Sequence, residues 1–364
     1  MSRAALLIRM LRRPVDMGAL DLSQWDLLLR QALAANLTAS LYCLAHDEGV
    51  LEHVPEAPRR HLEWAGTLLQ RHADAVQWEV ARIRAALQTM QAPLILLKGA
   101  AYAAAGLPPA RGRLFSDVDI LVPRELLPQV EADLMLGGWT SQKQDEYDQR
   151  YYRLWMHEIP PMQHAQRGSV IDVHHAILPL TARAFPDPER LRASARAVPG
   201  MAGVQVLAPA DMVLHSATHL FWDGEFDKGL RDLLDLHRLL LHFADHPGFW
   251  DGLPTRAREL QLERPLFYAL RYCAMLLGTP VPAAVLADAA IGGPNRALLA
   301  LMDGLFVRAL QPLHASCADA LTGAAHFLLY IRGNWLRMPP LMLARHLFHK
   351  AFISPAPVER SVRP

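Results

Sequence analysis

An apolar run that ends on a lysine and a glycine, Leu94-Ile-Leu-Leu-Lys98-Gly99, stands eighteen residues ahead of a second run that carries two acids, Asp117-Val-Asp119-Ile-Leu-Val122. Both have the length and apolar content of buried strands. Side chains alternate along a strand, so Asp117 and Asp119 project from the same face. Two neighbouring carboxylates repel each other, and each costs free energy to take out of water. A divalent cation between them relieves both penalties. The pair therefore predicts a Mg²⁺ site next to a glycine turn, which is equipment for handling phosphate.

Around this centre the pattern divides the chain into four stretches. Residues 1–90 read as helical, with three- and four-residue apolar spacing in Trp25–Leu33 and His61–Leu87, Ser23 as the expected first cap and Pro93 beyond the second helix. Residues 91–180 alternate strands with helices. Strands are expected at 94–97, 115–122, near 158–165 and at 170–175, and helices at 100–105 and 125–136, stopped by Gly106 and by Gly137-Gly138. The tyrosine- and histidine-rich stretch 139–165 shows no clear period. Residues 181–353 read as a helical domain, with helices from Asp211 and Gly229 and at 265–277, 283–290, 295–310 and 317–336. The proline-rich tail 354–364 is expected to be disordered. The fold class is α+β, a small mixed-sheet core flanked by N- and C-terminal helical regions that wall a cleft.

The turn Gln166-Arg-Gly-Ser169 predicts a hairpin that leads into Val170-Ile-Asp172-Val-His174, where Asp172 and His174 share a face. Such a hairpin can bring Asp172 beside Asp117 and Asp119. Three carboxylates can hold one or two Mg²⁺ ions, with Mn²⁺ as the alternative, and through them the phosphates of a nucleoside triphosphate such as ATP. The third acid can also take the proton of an acceptor hydroxyl. Gly99 lets the backbone approach a phosphate, and the helix after it offers free N–H groups. Lys98, Arg113 and Ser116 are the candidate phosphate contacts, Lys98 being equally a partner for the acids; His174 is a candidate to line the site.

These residues resemble a known family. Lys98-Gly99-Ala-Ala, Arg113-Leu-Phe-Ser-Asp117-Val-Asp119-Ile-Leu-Val122 and Ile171-Asp172-Val-His174 look like the uncharacterised bacterial nucleotidyltransferase family of the polymerase-beta-like nucleotidyltransferase superfamily. The resemblance covers roughly 90–180 and extends more loosely to His215, His219 and Asp232. It implies a glycine turn, an Asp-x-Asp strand and a third acid on a nearby strand. It also implies Mg²⁺-dependent transfer of a nucleoside monophosphate from a triphosphate, with release of pyrophosphate. The acceptor is open: a small molecule, a peptide, a protein or an RNA end would suit such a core. Many members of the superfamily have Gly-Ser or Gly-Gly where this chain has Gly99-Ala100. That difference supports a rival reading, a catalytically inactive nucleotide-binding or scaffold protein with the same fold.

The remaining features set further expectations. His215 and His219, four residues apart on a helix, raise a third reading, a metal-dependent phosphohydrolase. Asp232 and Asp235 read as partners in helix ion pairs. Net charge of +1 gives no argument for a nucleic-acid partner. Cys43, Cys273 and Cys317 are too few and too far apart for a disulfide framework or a zinc site, which suits a reducing, cytoplasmic setting. No run is long enough to span a bilayer. The basic and aromatic stretch 332–350 raises peripheral membrane contact, although a helix packed on the core with its arginines outward is the commoner outcome. Lysine is scarce, at four residues (Lys98, Lys143, Lys228, Lys350) among 37 basic ones, which singles out Lys98.

Overall fold

The computed structural model describes residues 5–142, 145–339 and 342–344. Among them, seven strands form one mixed sheet: β1 (Leu94–Leu96), β2 (Asp117–Leu121), β3 (Trp139–Ser141), β4 (Met162–His164), β5 (Val170–His174), β6 (Arg196–Ala197) and β7 (Val204–Val206). Their spatial order is β3-β4-β5-β2-β1-β7-β6. The α+β architecture is as expected. At the centre β1 runs antiparallel to β2, and β5 runs parallel to β2 with Asp119 directly opposite Asp172. The hairpin forms between β4 and β5, and β5 carries it to the edge of β2.

The alternation along these strands decides what each face does. Val118, Ile120, Ile171 and Val173 are buried on one face and form part of the main core. Asp117, Asp119, Asp172 and His174 stand on the other. A one-residue slip would exchange the two sets, so the apolar face fixes the register that aligns the acids.

Helices cover the sheet and extend away from it. The long helix Glu56–Ala86 packs on Lys98–Ala104 and on Leu127–Leu136. The apolar helix Pro209–Trp222 is the hub of the C-terminal half and packs against Gly229–Phe243, Phe249–Glu259 and Glu263–Tyr272. The periodic segments became helices close to their expected bounds, including Ala283–Ala289, Arg296–Ala309 and Thr322–Arg337.

Several local expectations are corrected. Ser23 lies inside the helix Leu22–Ala34; its cap is Asp21, whose Oδ1 accepts from the Gln24 amide at 2.8 Å while Gln24 Oε1 accepts from the Asp21 amide at 3.0 Å. The stretch without a period forms β3 and the helix Glu146–Trp155. Strands β6 and β7 lie within the segment read as helical, and β7 pairs with β1. They are too short to show a period, and Gly200 and Gly203 with positive φ bracket the turn before β7.

The C-terminal helix also differs from expectation. Arg332 points inward, donates to the Phe221 carbonyl at 2.7 Å and lies over the Tyr268 and Phe306 rings, while Trp335 and Ile331 face outward. Burial of the aromatic cluster supplies a face on which a guanidinium can stack. Residues 340–341 and 345–350 of the stretch considered for membrane contact lie outside the described residues, as does the tail. No helix among the described residues is long and apolar enough to cross a membrane.

One glycine ties the loop before β2 to the N-terminal helices. Gly112 has φ +80°, and a Cβ there would sit 2.3 Å from Ser40 Cα and 2.5 Å from its amide nitrogen. Ser40 in turn donates its hydroxyl to the Gly112 carbonyl at 3.0 Å. Because the obstruction is backbone, it cannot swing aside. Gly112→Ala is therefore expected to destabilise the protein by about 2–4 kcal/mol. Urea unfolding checks this, and a loss below about 0.5 kcal/mol would show that the close approach does not exist in solution.

Candidate functional site

Parallel pairing of β2 with β5 assembles the acids. Asp117, Asp119 and Asp172 each offer an oxygen within 4.8 Å of the others, so the three can hold a metal ion. Their environments are not alike. Asp119 is buried, with its side chain 5% exposed. Its Oδ1 accepts from Lys98 Nζ at 2.8 Å and faces His174 Nε2 at 3.0 Å. Burial opposes its charge, but the Lys98 ammonium and then His174 overcome this and hold the carboxyl far below the usual range. Lys98 responds in the opposite sense: burial works against it, and Asp119 raises its pKa.

Asp172 lacks such partners. Its Oδ1 is buried with no hydrogen bond. Burial first, and then the charges of Asp119 and Glu158, push its pKa up to about 7. A buried carboxylate oxygen without a donor is uncommon, because the desolvation is uncompensated. All-oxygen donor sets of carboxylates suit hard cations such as Mg²⁺ or Mn²⁺. The residues present therefore fit the expected metal.

Lys98 reaches Asp119 from an unusual backbone. It follows β1 after a single residue, Leu97, and opens the helix Lys98–Ala104 with φ +46°. Leu97 donates to the Asp119 carbonyl at 2.9 Å, which sets Lys98 beside β2. A left-handed lysine costs roughly 1–2 kcal/mol, and such strain persists where surrounding contacts enforce it. Gly99 lines the cavity above the acids. Its missing side chain makes room for the Phe115 ring, which a Cβ would meet at 2.7 Å. Ala100 beside it is buried.

The cavity over Asp117 and Asp119 is closed by the C-terminal helices. Besides Lys98, Gly99 and Phe115, it is lined by Arg113, His219, Asp223, Glu225, Asp227, Lys228, Arg231 and Asp232. Arg113 is buried and already paired, with Asp235 and, at 3.4 Å, with Asp232. Arg231 meets the same Asp232 at 2.6 Å. Asp232 and Asp235 thus form ion pairs, but buried ones that bind the loop before β2 to the helix Gly229–Phe243. Ser116 is exposed at the entrance of β2 and does not line the cavity.

His215 is buried, and burial followed by the charge of Lys98 keeps it neutral. His219 stands on the cavity wall, where Lys98 and burial lower its pKa to about 4. Among the described residues neither belongs to a group of three donors close enough to hold an ion. The metal site read into this pair is not assembled.

A second group was not foreseen. His157 and Glu158 lie just ahead of β4, and Glu158 forms an isolated antiparallel bridge with His174. His157, Glu158 and His174 again offer three donor atoms within 4.8 Å. Both new residues fall in the stretch without a period, where no helical or strand face could be assigned. The adjacent His-Glu pair at the start of an expected strand was the only sequence signal. Lys228, also missed, sits where one apolar helix gives way to the next; the rarity of lysine was its one hint.

A mixed sheet gathers three carboxylates on one face, close enough together to hold a metal ion, and two of them, Asp117 and Asp119, line a charged cavity. Residues 21–278, more than half of the chain, match the model of the uncharacterised nucleotidyltransferase family, and the chain belongs to that family. Neither curated proteins nor solved structures give a significant match.

The state of Asp172 is measurable without any substrate. Its folded pKa of about 7 lies above the ordinary 3.8, so the folded protein binds this proton more tightly than the unfolded chain. The associated stability is present below about pH 4 and is lost as pH rises towards 7. In metal-free protein Asp172→Asn is therefore expected to be more stable than wild type at pH 8, by about 1–3 kcal/mol. The difference should vanish near pH 4. Urea unfolding in EDTA across this range checks it, and a difference that does not change with pH would contradict the shift.

Proposed function

We propose that the protein transfers a nucleoside monophosphate from a nucleoside triphosphate to an acceptor hydroxyl or similar group, releasing pyrophosphate. The observation that carries this reading is Asp172, a half-buried carboxylate with one buried and unpartnered oxygen, in register with Asp119 and close to Asp117. Membership of the family supports nucleotidyl transfer in general. Asp117, Asp119 and Asp172 would hold Mg²⁺, which when bound supplies neutralisation of phosphate charge and orientation of the reacting oxygens.

The chain's own residues account for the remaining needs. Lys98 keeps Asp119 ionised and fixed, and His174 holds the same oxygen from the other side. Lys228 is an exposed cation on the cavity wall, whereas Arg231 is buried and held by Asp232 at 2.6 Å, so Lys228 is the phosphate contact we assign. Arg113 acts instead as a strut, because its charge is consumed by Asp235 and Asp232. In the reaction the acceptor oxygen bonds to the α-phosphorus, and the bond from that phosphorus to the bridging oxygen breaks. Pyrophosphate leaves with the electron pair, and Asp172 takes the acceptor proton.

Calorimetric titration of each triphosphate with Mg²⁺, followed by a pyrophosphate-release assay with candidate acceptors, tests the reading. The informative variant is Asp117→Asn/Asp172→Asn, which leaves the Lys98–Asp119 pair intact. Triphosphate binding should require Mg²⁺ and weaken about 100-fold or more in the variant, matching the several kcal/mol a metal clamp contributes. Lys228→Ala should weaken binding by about tenfold, the loss of one charge-assisted contact. A folded wild type that binds no triphosphate would overturn the proposal. Binding with no pyrophosphate release for any acceptor would favour a nucleotide-binding protein without turnover, a reading that the buried Ala100 also suits.

A further inference from the structure

The geometry points to a second metal centre, for a first-row transition ion of the zinc class, held by His157, Glu158 and His174 behind the carboxylate site. It stands independently of nucleotidyl transfer, because none of its three ligands is among the acids assigned to Mg²⁺.

Four observations converge on it. Each residue places one donor atom within 4.8 Å of the other two. His174 Nδ1 lies 3.4 Å from Glu158 Oε2, longer than a good N–H···O hydrogen bond. A tetrahedral ion with bonds of about 2.0–2.1 Å would set neighbouring ligand atoms roughly 3.3–3.4 Å apart. His157 Nδ1 is buried and has no hydrogen-bond partner, although its ring lies 5.2 Å from that of His174. Finally, His174 Nε2 faces Asp119 Oδ1 at 3.0 Å. With the proton on Nε2, the Nδ1 lone pair is free for a metal, and the Asp119 carboxylate plays the outer partner that metal-bound histidines characteristically have.

The backbone holds the three ligands in place. Ile159 donates to the Val173 carbonyl at 3.0 Å, and His175 donates to the His157 carbonyl at 2.8 Å. The ligands thus come from two extended segments fastened to each other on both sides of the site. Two imidazoles and one carboxylate select zinc-like ions, whereas three carboxylates select magnesium-like ones. The sheet therefore carries two donor sets of different chemistry, joined through the His174–Asp119 contact. An ion on the first would fix the His174 ring and, through it, position Asp119.

Cobalt(II) reports such a site by its visible absorption. The full chain, stripped with a chelator, is titrated with Co²⁺ as wild type and as Asp117→Asn/Asp172→Asn, which disables the carboxylate group. The double variant is expected to bind one Co²⁺ with the intense spectrum of low coordination number, and Zn²⁺ should displace it. Adding His157→Ala or Glu158→Gln to that background should weaken binding by about 100-fold. Failure of the double variant to bind Co²⁺, or binding unchanged by both ligand substitutions, would overturn the proposal. Should the ligand variants not fold, X-ray absorption of the Co²⁺-loaded double variant decides the matter: two imidazole ligands support the site, and fewer than two refute it.

Discussion

The structure around the sheet is arranged about one buried charge. Asp119 sits in the middle of a central strand with its carboxylate taken almost wholly out of water, which costs several kcal/mol when uncompensated. Lys98 and His174 meet the same oxygen, and they arrive from opposite sides, one from the end of β1 and one from β5. The sheet order β1-β2-β5 is what allows this. The left-handed backbone at Lys98 is the local cost of that closure; a relaxed conformation would point the ammonium elsewhere. The acid, its two partners and the pairing of three strands are therefore a single arrangement, and removing Lys98 or Asp119 would leave a buried charge without its ion-pair partner.

Directly across the strand pair, Asp172 resolves the same burial differently. It lacks a cation and keeps its proton to about neutral pH in the absence of metal. Two acids in register, one permanently charged and one poised near neutrality, make a site that attracts a cation without collapsing into ion pairs of its own. The helical half contributes counter-charges. Asp232 and Asp235 absorb Arg113 and, in part, Arg231, so the wall of the cavity is a network in which Lys228 has the loosest attachment.

Much of this was legible in the sequence. The alternation of acids with Val118, Ile120, Ile171 and Val173 gave both strands and their faces, because a period of two has only one register that buries the apolar set. That a hairpin could bring Asp172 beside the other two acids was an expectation, and the parallel pairing of β2 with β5 realises it. A lone lysine at a strand end was read as a phosphate contact or as a partner for the acids, and the structure pairs it with Asp119. What was not legible depends on contacts between distant segments. Arg113 looked like a phosphate ligand until the helix Gly229–Phe243 supplied Asp232 and Asp235 against it. Gly99, read as a phosphate turn, lines the cavity, and its packing against the ring of Phe115 was not legible. Strand β7, three residues long, has no period to read, and His157 and Glu158 acquire meaning only once β5 lies beside them.

The sheet order also has a kinetic side. Lys98, Asp119 and His174 converge only when strands from three separated parts of the chain have paired, and β7 must travel from residue 204 to reach β1. Contacts of such long sequence separation form late, since loop closure must precede any return from the contact itself. During synthesis the N-terminal helices and the β1–β2 pair emerge well before β7 and the helices that wall the cavity. A ribosome-bound or truncated chain of about 180 residues would thus carry its acids without their enclosure. The cavity over Asp117 and Asp119 is therefore complete only after the helices that follow β7 have been made, since His219, Asp223 and Asp232 line it.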